Sequence, residues 1–263
     1  MSRARRKPEG FQIIAHERTF FKVLDLMDRL PRGKVLDIPS GEGGISHCLR
    51  EMGFRVVAAD LDPGFFKCAG VECRGLDMNR PLDLPDESFD YVVCLEGIEH
   101  LEHPYRFIRE CHRVLKWQGR LILSTPNILN SASRLKYFLT GFYSLCPRPL
   151  NEFVHTPVFD HINPMTYYQL RYGLHSSGFR ITRATTDLWR RSCWPLLLFY
   201  PFQRLCSIRT MRKEADPRQR EANKDVRRAM HSLDLLAGRT LVLEAVKDHA
   251  PGIERIDASE ARS

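Results

Sequence analysis

The sequence predicts an α/β protein built on a largely parallel sheet covered on both faces, and three observations carry that reading. Short apolar runs, "KVLDI" (34–38), "FRVVAAD" (54–60), "SFDYVVCL" (88–95) and "RLILSTP" (120–126), alternate with segments of helical periodicity. A glycine-rich turn, Gly41, Gly43 and Gly44, follows the first run. The chain has 263 residues with 43% hydrophobic content, enough for one large domain with an insertion.

The elements follow in order. "FQIIAHERTFFKVLDLMDRL" (11–30) is periodic in apolar residues and ends before Pro31 and Gly33, which predicts an amphipathic helix. After the strand "KVLDI" and the glycine turn comes the helix "ISHCLREMG" (45–53), then the strand "FRVVAAD", broken by Pro63-Gly64. "VECRGLD" (71–77) is a weaker third strand. "SFDYVVCL" is the fourth, and a helix starts near Pro104, a residue suited to a first helical position, and runs through "YRFIRECHRVLK" (105–116). Gly119 is expected to stop that helix before the strand "RLILSTP". Residues 130–140 read as helix, 141–160 as loop, "PMTYYQLRYGLHSSG" (164–178) as helix, and "FRITRATTD" (179–187) and "RTLVLEAVK" (239–247) as strands. The domain is expected over 11–248, with an insertion at about 188–238 and disordered tails at 1–10 and 249–263. Within the insertion, "DPRQREANKDVRRAMHSLDLLAG" (216–238) predicts one helix. Its N-cap is Asp216, its first residue Pro217 and its stop Gly238, and its apolar face is Ala222, Val226, Ala229, Met230, Leu233 and Leu236.

The charge of +8 suits an anionic partner, whether nucleic acid, phospholipid surface or phosphorylated substrate. The eight cysteines form no Cys-x-x-Cys pair, so neither a zinc ribbon nor a disulfide scaffold is indicated, and a reducing cytoplasmic compartment is expected. The basic start is not followed by an apolar run of signal-peptide type.

Chemistry concentrates at the predicted strand ends. Glycine permits positive φ and close approach of a ligand to the backbone, and the helix that follows offers free N–H groups. Asp37, Asp60 and Asp77 close three successive strands beside that turn. A carboxylate at the end of the second strand accepts bonds from a ribose diol. A dinucleotide fingerprint has its first glycine where Asp37 or Ile38 stands, and an acid at the strand end repels a pyrophosphate, which disfavours a nicotinamide dehydrogenase.

On "VLDIPSGEG", "VVAADLD", "GLDMN", "FDYVVCLEGIEHL" and "GRLILSTPN" the chain resembles the class I S-adenosylmethionine-dependent methyltransferases, over roughly 33–187 and 239–247. The resemblance implies a three-layer, Rossmann-like, seven-stranded sheet with its last strand antiparallel. It also implies that S-adenosyl-L-methionine is held by Asp37, Pro39, Gly41 and Gly43 at its methionine end. Asp60 and Leu61 would take the ribose, Asp77 and Met78 the adenine, and Leu95 and Glu96 would line the pocket. Pro39 departs from the family, which has a glycine there; proline has no N–H to offer.

"LEGIEHLEH" (95–103) places Glu96, Glu99 and His100 at i, i+3 and i+4. This resembles the metal motif of the ubiquinone-pathway O-methyltransferases (the type 11 and type 23 groups) and of the small-RNA 2′-O-methyltransferases. The second group also has "STPN" (here 124–127) and a later His in a "DH" context (here "FDHINP", 159–164). By that resemblance Glu96, Glu99, His100 and His161 are metal ligands for Mg²⁺, Mn²⁺, Fe²⁺ or Zn²⁺. Glu99, His100 and His161 are then the catalytic residues facing the acceptor. The bland alternative is that Glu99 and His100 open the next helix, where acids are favoured.

The expected function is O-methylation of a small-molecule, lipid-linked or glycan-type hydroxyl. Two alternatives stand beside it, an RNA ribose 2′-O-methyltransferase and a noncatalytic S-adenosylmethionine-binding regulator. "RRSCWPLLLFYPFQRL" (190–205), with the basic residues up to Lys213, is expected either to pack over the sheet or to touch the inner face of a membrane. No RNA-binding module is recognisable, and the oligomeric state is open.

Overall fold

The computed structural model describes residues 8–144, 149–151, 153 and 160–248. Residues 1–7 of the expected tail 1–10, the expected tail 249–263, and residues 145–148, 152 and 154–159 of the expected loop 141–160 lie outside them. Seven strands form one sheet in the order β3-β2-β1-β4-β5-β7-β6. They are β1 (Lys34–Asp37), β2 (Arg55–Asp60), β3 (Glu72–Gly75), β4 (Phe89–Leu95), β5 (Leu115–Pro126), β6 (Phe179–Thr186) and β7 (Thr240–Lys247). The first five run parallel, and β7 pairs antiparallel with both β5 and β6. This is the three-layer α/β sheet with its last strand reversed that the sequence implies.

Helices fill both faces because the central strands are apolar on both. α1 (Glu17–Asp28) and α2 (Gly44–Glu51) close one face. There Phe20, Leu24, Met27 and Leu49 pack on Val35, Val93 and Ile122. α3 (Pro104–Val114) and α5 (Tyr167–Ser176) cover the other, with Phe107, Ile108, Leu170 and Phe179 against Leu36, Val92 and Leu121. Each fully buried Phe or Leu contributes about 1.5–3 kcal/mol relative to exposure. The strand ends align at the carboxyl edge: Asp37 sits opposite Val93 of β4 and Ala58 of β2, and Asp60 opposite Gly75 of β3.

Four local expectations are corrected. α1 begins at Glu17, because the His16 side chain accepts from the Arg18 N–H as an N-cap, and residues 11–15 precede it outside any helix or strand. α3 runs directly into β5 at Leu115, so Gly119 does not stop the helix. It lies in an irregularity of the β4–β5 ladder, next to Gln118 at φ +59°, where a Cβ would meet the Lys116 carbonyl at 2.8 Å. The insertion carries α6 (Tyr200–Met211), α7 (Pro217–Met230) and α8 (Leu233–Ala237); α4 (Ser131–Thr140) follows β5. The expected helix 216–238 is therefore two helices, broken where the Ser232 side chain caps α8. The break rotates the face: Leu235 and Leu236 are buried and Leu233 is exposed.

Candidate active site

The glycine turn folds around two acids. Asp37 is fully buried, and its Oδ2 accepts from Ser46 Oγ on α2 at 2.6 Å. Its Oδ1 has no hydrogen-bond partner. Burial, with the Asp60 charge adding to it, pushes the Asp37 carboxyl up to about 7. Asp60 Oδ2 accepts the Gly41 N–H at 2.8 Å, and Oδ1 accepts the Asp62 N–H at 3.3 Å. Each ionised oxygen keeps a lone pair for a further donor.

The two glycines that look alike in sequence differ in space. Gly41 has φ +52° and nothing within 4 Å of where a Cβ would stand, an open cradle beside both acids. At Gly43, φ +92°, a Cβ would meet Phe66 at 2.6 Å and Cys68 at 2.9 Å, so this glycine serves packing. Pro39 packs against Gly97, where a Cβ would approach Pro39 Cδ to 2.5 Å. Beyond β3, Asp77 Oδ1 accepts the Asn79 N–H at 2.8 Å and its carboxylate pairs with Arg80 at 3.3 Å. Met78 is buried, and Leu61 stands exposed at the rim. An unpaired buried oxygen on Asp37, spare acceptors on Asp60 and an uncovered glycine fit a cationic nucleoside such as S-adenosylmethionine.

Next along the edge, Glu99, His100 and His161 each bring one ligand atom within 4.8 Å of the others. Glu99 and His100 sit on a single 3-10 turn, Ile98–His100, after β4. The Glu99 carboxylate is fully buried; Oε2 accepts from Thr125 Oγ1 at 3.1 Å and Oε1 has no partner. Burial, with the charge of Glu96 adding to it, pushes its carboxyl up to about 8. The Asn163 N–H donates to the Glu99 carbonyl at 2.9 Å and so pins the loop that carries His161. The His100 and His161 rings meet edge-on with centroids 4.9 Å apart. His100 Nδ1 lies 2.9 Å from the Asp160 carbonyl, which can only accept, so Nδ1 carries the proton and Nε2 the lone pair. A backbone carbonyl behind a ligating imidazole is the usual support of a metal-bound histidine.

Glu96 does not join that group. It has φ +49°, its N–H donates to Ser124 Oγ and to the Ser124 carbonyl, and its carboxylate lies 3.9 Å from Arg239. Burial pushes its carboxyl above the ordinary carboxylate value, and the Arg239 guanidinium opposes that shift. The expected four-residue ligand set is thus reduced to Glu99, His100 and His161. A left-handed backbone at Glu96 turns it toward Arg239, just before β7, a feature that no spacing announces. The "STPN" stretch acts as scaffold: Thr125 orients Glu99, Ser124 holds the Glu96 turn, and Asn127 Nδ2 donates to the Leu235 and Gly238 carbonyls. No motif marks the Asp187–Arg239 pair beside Glu96, with Arg239 NH2 2.8 Å from Asp187 Oδ2.

With that geometry in place, comparison with known proteins is informative. Residues 36–123 match the family model described as "Methyltransferase domain". Proteins called ubiquinone biosynthesis O-methyltransferase from Xanthomonas oryzae pv. oryzae are 36% identical over 109 residues, covering 37% of this chain and 45% of theirs. The counterpart from Xanthomonas campestris pv. campestris is 35% identical over the same span. The chain thus spans less than half the length of the curated relatives it matches. In fold, it resembles a SAM-dependent methyltransferase from Archaeoglobus fulgidus (TM-score 0.55, 18% identity, 88% of this chain and 92% of that one). It also resembles a putative methyltransferase from Bacillus halodurans C-125 (TM-score 0.52, 16% identity, 87% and 98%).

Proposed function

We propose that this chain, which carries a methyltransferase domain over residues 36–123 on the fold of the SAM-dependent methyltransferases, transfers a methyl group from S-adenosylmethionine to a hydroxyl oxygen. The observation that carries the oxygen reading is the convergence of Glu99, His100 and His161 at the sheet edge next to the Gly41 cradle. The O-methyltransferase names of the relatives point the same way.

S-adenosylmethionine supplies an electrophilic methyl group, and the chain's work is to aim it. Asp60 presents spare carboxylate acceptors to a ribose diol, Asp77 and Met78 flank the adenine position, and Asp37 offers an uncompensated acceptor to the cationic end. The Gly41 cradle lets the ligand approach the backbone, and the buried walls of β1 and β4 exclude water. Alignment of acceptor, carbon and sulfur then lowers the barrier by prepaid orientation.

A hydroxyl is a weak nucleophile until it loses its proton, and a divalent cation contacting it lowers its pKa. Glu99, His100 and His161 would hold such a cation: Glu99 Oε1 is buried without a hydrogen-bond partner, and His100 Nε2 carries the lone pair of the ring. Two imidazoles and one carboxylate favour Mn²⁺, Fe²⁺ or Zn²⁺ over Mg²⁺, which prefers oxygen ligands and water.

The test is methyl transfer from labelled S-adenosylmethionine to a panel of phenolic, lipid and sugar hydroxyl acceptors, with and without chelator. Turnover is expected to disappear with EDTA and to return with Mn²⁺ or Zn²⁺. Thr125→Val, which frees Glu99 to rotate, is expected to weaken metal binding about tenfold while leaving S-adenosylhomocysteine affinity intact. Turnover unaffected by chelator would remove the cation from the reaction, and transfer to nitrogen acceptors alone would overturn the oxygen reading.

A further inference from the structure

The insertion leaves a large apolar surface uncovered. α4 packs on two 3-10 turns, Arg191–Cys193 and Pro195–Phe199, and the second leads into α6. Along this junction Phe138 and Leu139 of α4, Leu198 and Phe199 of the turn, and Phe202 and Leu205 of α6 are all exposed, Phe138 and Leu198 to 83%. Soluble surfaces carry single apolar residues without consequence, whereas six large ones on adjoining elements mark a contact.

Charge identifies the partner. Between Arg190 and Lys213 there is no acidic residue, while Arg204, Arg209, Arg212 and Lys213 are all exposed. At about 100° per residue, Phe202, Leu205 and Arg209 share one side of α6. The exposed Phe202 and Leu205 stand near its start and Arg209 near its end, with Arg204 between the two apolar residues in its first half and Arg212 and Lys213 directly after Met211. From Phe202 to Arg209 the rise is about 10 Å. That matches the depth, about 5–10 Å, to which an interfacial element sinks from the headgroups toward the acyl chains. Among the described residues no helix is long and apolar enough to cross a membrane.

We propose that the α4–α6 face docks on the surface of an anionic phospholipid bilayer. The Pro195–Phe199 turn and the first turn of α6 enter the interface end-on, and Arg209, Arg212 and Lys213 meet the phosphates, their long stems lying along the apolar zone. α4 starts at Ser131, capped by Asn130 just beyond the carboxyl end of β5, so the helix that carries Phe138 and Leu139 begins at the edge that holds Glu99 and His161. That adjacency assigns the methyl acceptor to the lipid-soluble class. This last step rests on the proposed methyl transfer; the docking itself does not.

Flotation of the full chain with phosphatidylcholine vesicles, with and without phosphatidylglycerol, tests it without acceptor or cofactor. The chain is expected to float with the anionic vesicles, to be released by high salt, and to show a blue shift of tryptophan emission from the half-exposed Trp194. The double variant Leu198→Glu/Phe202→Glu is expected to lose about tenfold or more in vesicle affinity with unchanged thermal stability and S-adenosylhomocysteine binding. Arg209→Glu/Lys213→Glu is expected to lose the anionic preference alone. Absence of flotation, equal flotation of the Leu198→Glu/Phe202→Glu variant, or a wild-type dimer that this variant splits would overturn the proposal. Failed flotation with intact methyl transfer would leave the proposed reaction standing.

Discussion

Among the described residues no cation offsets the Asp37 charge, and burial pushes its carboxyl up to about 7. The folded chain therefore keeps a proton that the unfolded chain loses near the ordinary value of 3.8. Its contribution to stability is full below that value and is lost as pH rises to about 7. Asp37→Asn, which still accepts from Ser46, is expected to melt above the wild type at about pH 8 and to converge with it toward about pH 4. Thermal melts across that range check the sign. A wild type that is the more stable at the alkaline end would show that another group compensates the Asp37 charge. The same residue was legible in sequence as an acid closing a strand before a glycine turn; its burial and its orphaned oxygen were not, because both depend on how α2 seats over β1. Gly41 and Gly43 are indistinguishable as letters and differ only in what stands next to them. Glu96 shows the same limit more sharply. Spacing put it on the face of Glu99, which holds for a helix, but the chain makes a left-handed step at Glu96 and a 3-10 turn after it.

At the scale of elements, the insertion between β6 and β7 is tied down by ionic and polar contacts as well as packing. Asp187, just after β6, receives Thr19 Oγ1 of α1 at 3.0 Å, the Leu188 N–H at 2.8 Å and the Arg239 guanidinium just before β7. Asp187→Ala strands a mostly buried guanidinium beside Glu96 and is expected to cost about 3 kcal/mol of stability. Denaturant titration of the variant checks this, and a cost below about 1 kcal/mol would place the pair with exposed ion pairs. The alternation of strands and helices was readable because each strand is apolar on both faces and each helix on one. The joins were harder. Gly119 reads as a helix stop, yet α3 and β5 abut at Leu115 and the glycine relaxes the ladder inside the strand. α6 was missed because its apolar residues Phe202, Leu205, Ile208 and Met211 are spaced by three and drift around the helix, so no narrow 3.6-residue stripe appears.

For the whole molecule, the seven-stranded sheet and its reversed last strand followed from a family resemblance confined to roughly 33–187 and the closing strand 239–247. The candidate site was legible to the extent that it lies on that shared sheet edge: Asp37, Asp60, Asp77, Glu99 and His100 all fall there. His161 arrives from a separate loop, pinned through Asn163. Everything placed on this edge presupposes that it receives one sulfonium nucleoside. Titration calorimetry of S-adenosylhomocysteine into the wild type and Asp60→Ala is the most direct test. The account predicts saturable one-to-one binding by the wild type and a loss of about ten- to a hundredfold in the variant, the worth of hydrogen bonds to a charged group. No binding by the wild type, or equal affinity in both, would contradict it.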